Sequence, residues 1–104
     1  QIAEKIHAYT FPWQDRDNTR VKYLVDLVLL TQLEQPDPEH VRRALTATFE
    51  ARGTHRLPLK LPTPPRDWAE SYTDLAKKLG LQARTLAEAY VYLDAHWRRW
   101  NPQA

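Results

Sequence analysis

Apolar residues recur at helical spacing along most of the chain, and proline, glycine and aspartate interrupt the pattern at intervals. The first stretch carries Ile2, Ile6 and Tyr9, and Pro12 ends it because proline cannot continue a helix. In the second stretch, from residue 20 to about residue 33, apolar residues lie on nearly every side, which is typical of a central, buried helix.

Three further helices are predicted by their ends as well as by their apolar faces. Asp37 is a candidate N-cap followed by a proline, and Gly53 lies where the third helix should end. The fourth helix is expected from near Pro65 to Gly80, and the capping-box sequence TLAE opens the fifth. No strand pattern of comparable strength is present.

A proline-rich segment separates the third and fourth helices. It predicts an extended connector over the surface, with the alternating Leu57, Leu59 and Leu61 packing on one side. The sequence therefore predicts an all-α fold, a bundle of four to five helices around a central buried helix at about residues 20–33. Residues 1–104 are expected to form a single helical domain.

One charged residue conflicts with the burial of the second helix. At about 100° per residue, Asp26 shares a narrow polar stripe with Thr19, Lys22 and Tyr23. An isolated buried carboxylate is unfavourable, so Asp26 requires a partner. It is either a structural residue paired with Arg20 or Lys22, or a site residue that faces a cleft; both interpretations stay open.

Composition narrows the class of protein. Cysteine is absent, which excludes disulfides, thiolate metal sites and thiol nucleophiles, and the net charge of +2 is only a mild basic bias. No apolar run approaches the roughly 18 residues of a membrane span and no signal peptide is visible, so a soluble, cytoplasmic protein is expected. Methionine is also absent and the chain starts at Gln1, which indicates a piece of a longer protein.

The histidines and tryptophans suggest little chemistry by themselves. The spacing of His7, His40, His55 and His96 gives no metal-binding set, so no metal site is predicted, and each histidine is expected at the surface, at a cap or in a loop. The four tryptophans are expected in packing contacts. The alternative for the end of the last helix is an exposed cluster in which Arg98, Arg99 and Trp100 contact RNA.

Three segments, read in order, resemble a known family. AEKIHAYT, NTRVKYLVDLVLL and the long segment TFEARGTHRLPLKLPTPPRDWAESYTDLAKKLGL are similar in order and spacing to the C-terminal helical part of the AbiEii-type nucleotidyltransferase toxins. The resemblance extends from Ala3 to about Leu93. Glu4-Lys5 with Ala8, and Arg20-x-Lys22-x-x-x-Asp26, resemble the two C-terminal motifs of that family.

The resemblance implies a function that this chain completes but does not perform alone. In the family, a DNA-polymerase-β-like core holds the nucleotide and Mg²⁺ with a Gly-Ser turn and an Asp-x-Asp/Glu pair. Catalytic roles would fall to Lys5 and Asp26, and phosphate or nucleotide contacts to Arg20 and Lys22. The implied partners are the missing core, an AbiEi-type antitoxin and a tRNA acceptor; Mg²⁺ and an NTP are expected for the intact enzyme.

The chain departs from the family pattern in two places. It has no Gly-Ser turn, and the letters Asp-Arg-Asp at residues 15–17 lie in a proline-interrupted loop instead of a strand. Tyr23 stands where the family usually has an aspartate, and a phenol cannot replace a carboxylate near neutral pH. The alternative is therefore a non-catalytic helical module that binds a partner protein or RNA, with Tyr23 marking a decayed site.

Overall fold

The computed structural model describes residues 2–11 and 20–103. These residues form five α-helices and no strand, which confirms the all-α prediction of four to five helices. The helices are α1 (Ile2–Thr10), α2 (Val21–Glu34), α3 (Pro38–Arg52), α4 (Ala69–Leu79) and α5 (Leu86–Trp100). A 3₁₀ turn over Arg66–Trp68 precedes α4, so helical structure begins where it was expected. Thr19 of the polar stripe and the Asp-Arg-Asp letters lie outside the described residues.

The second helix occupies the centre of the bundle, as predicted. It packs against α1, α4 and α5, while α3 packs against α1 and α5. Burial of apolar side chains from every helix is the main stabilising contribution to such a core. Fully or nearly fully buried members include Ile6, Leu27, Leu45, Tyr72 and Leu93.

One side of α2 nevertheless remains open to solvent. At about 100° per residue, its buried positions leave an arc uncovered whose centre is Asp26. Leu33 lies on the same arc and its side chain is 69% exposed. We call this surface the open face of α2; it comprises Lys22, Tyr23, Asp26, Leu29, Leu30 and Leu33.

The predicted helix ends are largely confirmed. Gly53 and Gly80 end α3 and α4 with φ of 60° and 68°, a left-handed conformation that favours glycine. Thr85 and Glu88 form both hydrogen bonds of the capping box that starts α5. Asp37 lies at the N-cap of α3, but its side chain makes no capping hydrogen bond there.

The proline-rich connector is bound mainly through its carbonyl groups. Proline supplies no N–H, and aromatic and amide side chains from the helices donate to the oxygens that the connector offers. Tyr9 donates to the carbonyl of Pro62 at 2.7 Å, and Tyr90 donates to that of Leu61 at 2.9 Å. Leu61 is buried but Leu59 is 77% exposed, so the expectation that all three alternating leucines pack on one side is wrong for Leu59.

Candidate functional site

The two residues predicted to be catalytic lie together. The Lys5 ammonium of α1 donates to the Asp26 carboxylate of α2, with Nζ and Oδ2 2.9 Å apart. The structural interpretation had expected Arg20 or Lys22 as the partner of Asp26, and the structure supplies Lys5 instead. Their side chains remain 32% and 40% exposed, so the pair faces solvent instead of being sealed in the core.

Local sequence explains how the pair forms. Ile2, Ile6 and Tyr9 bury one side of the short helix α1, which leaves Lys5 at the edge of the α1–α2 contact. Asp26 lies opposite, at the centre of the open face of α2. A half-exposed ion pair of this kind contributes roughly 0–1 kcal/mol to stability. The fold therefore gains little from it, which leaves both charges available for binding.

The two predicted phosphate-binding residues have different surroundings. The guanidinium Nη2 of Arg20 donates to the carbonyl of Phe11 at 3.4 Å. Arg20 also lines a cavity of about 350 Å³ together with Tyr9 and Trp68. Lys22 is exposed on the open face of α2, one helical turn before Asp26. The structure thus places Lys22 on the same surface as the Lys5–Asp26 pair, whereas Arg20 borders a separate cavity.

The proposed RNA-contact cluster is divided by the fold. Arg98 pairs with Asp94 at 3.2 Å, and Arg98 and Arg99 are both exposed. Trp100 is fully buried, with a relative exposure of 0%. Its indole cannot stack on a base in this structure, so an RNA contact at this helix end must rely on other aromatic rings than that of Trp100.

Sequence reasoning missed two residues beside Arg99. Tyr92 and His96 line a cavity of about 520 Å³ with Arg99, and side chains of Gln32 and Gln82 also border it. Helical spacing could have identified them, because residues 92, 96 and 99 fall on one face of a helix. Burial, and secondarily the charge of Arg99, lower the pKa of His96 below its ordinary value.

His7 is also not where it was expected. It is buried, with 8% exposure, whereas the sequence placed every histidine at the surface, at a cap or in a loop. The reason is that α1 packs against both α2 and α3, so His7 contacts the Phe49 ring at 5.0 Å between centroids. Burial, and then the nearby Arg52 charge, lower the pKa of His7.

Two further observations concern metals and membranes. In the part of the chain that the structure describes, no group of three or more histidine and acidic side chains could hold a metal ion. Within residues 2–11 and 20–103, no helix is long and apolar enough to span a bilayer.

Comparison with known proteins connects this geometry to a family. No curated protein matches the chain. The family model described as nucleotidyl transferase AbiEii toxin, type IV toxin–antitoxin system, matches residues 1–98, a range that contains both Lys5 and Asp26. Because the match covers nearly all of the 104 residues, the chain belongs to the AbiEii family of nucleotidyl transferase toxins.

Proposed function

We propose that this chain is the helical C-terminal part of an AbiEii-type nucleotidyltransferase toxin and supplies one wall of its active site. The observation that supports the proposal is the Lys5–Asp26 pair. Two helices bring these charges to 2.9 Å at the centre of the open face of α2, whose other residues, apart from Lys22, are three leucines and a tyrosine. The catalytic core of the intact protein would cover this face and place its nucleotide against the pair.

Each residue has a definite role in this proposal. The Lys5 ammonium offers three N–H donors and one positive charge, which stabilise the negative charge that develops on phosphate oxygens during transfer. Asp26 holds the ammonium in one direction, so little reorganisation is needed when the nucleotide binds. Lys22, on the same face, adds a second positive charge near the phosphates.

The metal ligands of the reaction belong, in this proposal, to the core. Mg²⁺ would neutralise phosphate charge there. The described residues of this chain contain no cluster that could hold it. We therefore expect the 104 residues alone to show no nucleotidyl transfer, and a preparation of this chain that incorporates labelled nucleotide into tRNA with NTP and Mg²⁺ would contradict the proposal.

The decisive experiment uses the intact protein. Lys5→Met and Asp26→Asn are each expected to lower the rate of nucleotide incorporation roughly 100-fold or more, the usual effect of removing one stabilising group at a transition state. Lys78→Met is the matched control, because Lys78 is an exposed lysine on α4. Its rate should equal that of the parent.

The outcome that contradicts the proposal is equally specific. If Lys5→Met and Asp26→Asn keep parental rates while the protein remains folded, the pair is a surface ion pair without a catalytic role. Circular dichroism of each variant separates this result from loss of folding.

A second candidate function is an RNA-binding helical module without activity of its own. The observation that favours it is the cavity bordered by Tyr92, His96 and Arg99, which combines two aromatic rings with a positive charge. In low salt, the double variant Arg98→Ala/Arg99→Ala should bind tRNA several-fold more weakly. The slope of the logarithm of the binding constant against the logarithm of the salt concentration should be smaller by about two. Arg43→Ala, an exposed arginine on α3, is the control. Equal binding by both variants and the parent contradicts this candidate.

A further inference from the structure

Four polar side chains connect the end of α1 to the segment that follows α3. His7 Nε2 lies 2.8 Å from the Thr54 hydroxyl, and that hydroxyl lies 3.3 Å from His55 Nδ1. On the other side of the ring, His55 Nε2 lies 2.9 Å from the Thr10 hydroxyl. The two imidazoles are close, with centroids 4.5 Å apart. The heavy atoms thus form one continuous chain of hydrogen bonds.

The direction of the chain follows from its last member. Thr10 donates its only hydroxyl proton to a backbone carbonyl, that of Ile6 at 2.8 Å, so its oxygen must accept from His55 Nε2–H. A neutral His55 then has an acceptor at Nδ1, to which Thr54 donates. The Thr54 oxygen in turn accepts from Nε2–H of His7. In this direction every proton of the hydrogen-bond chain has one acceptor, which requires both imidazoles to be neutral and to carry their proton on Nε2.

Protonation disturbs this arrangement. A proton on His55 Nδ1 turns that nitrogen into a donor and reverses the link to Thr54. The Thr54 proton then needs a new acceptor, which His7 supplies at Nε2 when its own proton moves to Nδ1. If both rings are charged, the Thr54 oxygen faces two donors and its own proton loses its acceptor. The charged groups near His7 are Glu4 and Arg52. His55 lies against His7 and borders a cavity together with Glu50 and Arg56.

An ion pair also joins α1 to the last residue of α3. Both Nε and Nη2 of Arg52 donate to Oε1 of Glu4, at 3.2 and 2.8 Å. Glu4 and His7 are therefore two anchor points on α1, and Lys5 lies between them in the sequence. The contacts of Glu4 and His7 thus flank the residue whose ammonium meets Asp26.

We propose that His7, Thr54, His55 and Thr10 form a one-way hydrogen-bond chain that clamps α1 to the segment following α3 and makes Thr54 and His55 positioning residues for Lys5. The clamp itself stands on the contacts above, while its importance for Lys5 rests on the proposed function. Burial lowers the pKa of both histidines, which is consistent with neutral rings in the clamped state. Acidification is expected to loosen the end of α1.

The first test reads the imidazoles directly. Side-chain ¹⁵N NMR of the chain at pH 7.5 should show His7 and His55 as neutral Nε2–H tautomers. As the pH falls, the protonation of His55 and the change of tautomer at His7 should share one midpoint. A neutral Nδ1–H form of His55 at pH 7.5, or independent titration of the two rings, overturns the clamp.

The second test removes the central hydroxyl and then restores it. Thr54→Val keeps the volume and lacks the hydroxyl, whereas Thr54→Ser keeps the hydroxyl; Thr54 is exposed, so both variants should fold. The Phe11 amide, which bonds to the His7 carbonyl at 3.0 Å, reports opening of the last turn. Its hydrogen exchange should be roughly 2- to 10-fold faster in the valine variant. The serine variant and the control Thr46→Val should match the parent.

Positioning of Lys5 has a separate readout. NMR contacts between the Lys5 ε-methylene and the Asp26 β-methylene protons should weaken in Thr54→Val and recover in Thr54→Ser. Parental exchange in Thr54→Val overturns the clamp, and unchanged Lys5–Asp26 contacts despite faster exchange overturn the positioning role. None of these measurements uses nucleotidyl transfer, so their failure is distinct from failure of the proposed function.

Discussion

Polar side chains in this protein differ in how much they contribute to stability. The buried hydroxyl of Tyr72 and the half-exposed Lys5–Asp26 pair illustrate the difference. Tyr72 is fully buried and donates to the carbonyl of Ala83 at 2.8 Å. Removing a buried donor leaves its acceptor without a partner, which is far more unfavourable than losing an exposed ion pair. Tyr72, which is not a site candidate, is therefore expected to contribute more to stability than the Lys5–Asp26 pair.

This difference predicts a ranking of variants by free energy of unfolding. Tyr72→Phe should lower it by about 1–3 kcal/mol, and Asp26→Asn by less than about 1 kcal/mol. Urea denaturation of both variants against the parent measures the ranking. If Asp26→Asn is the more destabilised, the Lys5–Asp26 pair is a structural interaction, and the argument that the fold does not require it is wrong.

The same scale shows why the site was only partly predictable. A period of about 3.6 residues identified Asp26 as an anomaly within an apolar helix. Its partner lies on another helix, 21 residues away in the sequence, and no local pattern relates position 5 to position 26. The resemblance to a family singled out both residues, and the distance between them follows from the packing of α1 on α2.

At the scale of helices, the ends are encoded most directly in the sequence. The capping box places the Thr85 oxygen 3.1 Å from the Glu88 amide, and the Glu88 carboxylate accepts from the Thr85 amide at 3.2 Å. Thr85→Ala should lower the free energy of unfolding by about 0.5–2 kcal/mol, because the first turn of α5 loses its side-chain acceptor. Urea denaturation measures it.

Thr73→Ala is the matched control for that variant. Thr73 is exposed within α4 and its hydroxyl donates to the carbonyl of Ala69 one turn earlier, so alanine there should be neutral or slightly stabilising. Equal destabilisation by the two substitutions would mean that the cap makes no specific contribution to α5.

Element contacts were harder to predict than element ends. Glycine and capping residues act within one turn, so their effects are visible in a few letters. The exposure of Leu59, the burial of His7 and the open side of α2 depend instead on which helix lies across from each residue. Alternation or periodicity in the sequence predicts which residues share one side of a segment. Which neighbouring helix covers that side depends on the tertiary packing.

For the molecule as a whole, buried titratable groups define the pH range of stability. Burial lowers the pKa of His7, His55 and His96 from the ordinary value of 6.5. The unfolded chain then binds more protons than the folded one just below that value, so these groups favour folding above about pH 6.5 and the contribution is lost as the pH falls. Stability should therefore decline as the pH falls below about 6.5.

Buried phenols act at the other end of the range. Burial raises the pKa of Tyr9, and raises that of Tyr72 to about 12, from an ordinary value of 10.0. The folded state keeps these protons longer than the unfolded chain, so the contribution is complete below about pH 10 and is lost as the pH rises further. The urea midpoint should consequently be level between about pH 7 and 9, with a decline on each side.

One variant separates the two declines. His55→Gln removes one of the three histidines whose pKa is lowered, so the fall in urea midpoint from pH 7.5 to 5.5 should be smaller than in the parent. The decline above pH 10 should be unchanged, because it depends on tyrosines that this substitution does not touch, and it serves as the internal control. A parental urea midpoint that is the same at pH 5.5 and 7.5 would show that folding does not lower the pKa of these histidines. It would also remove the reason to expect that acid loosens α1, because the clamp requires both imidazoles to be neutral.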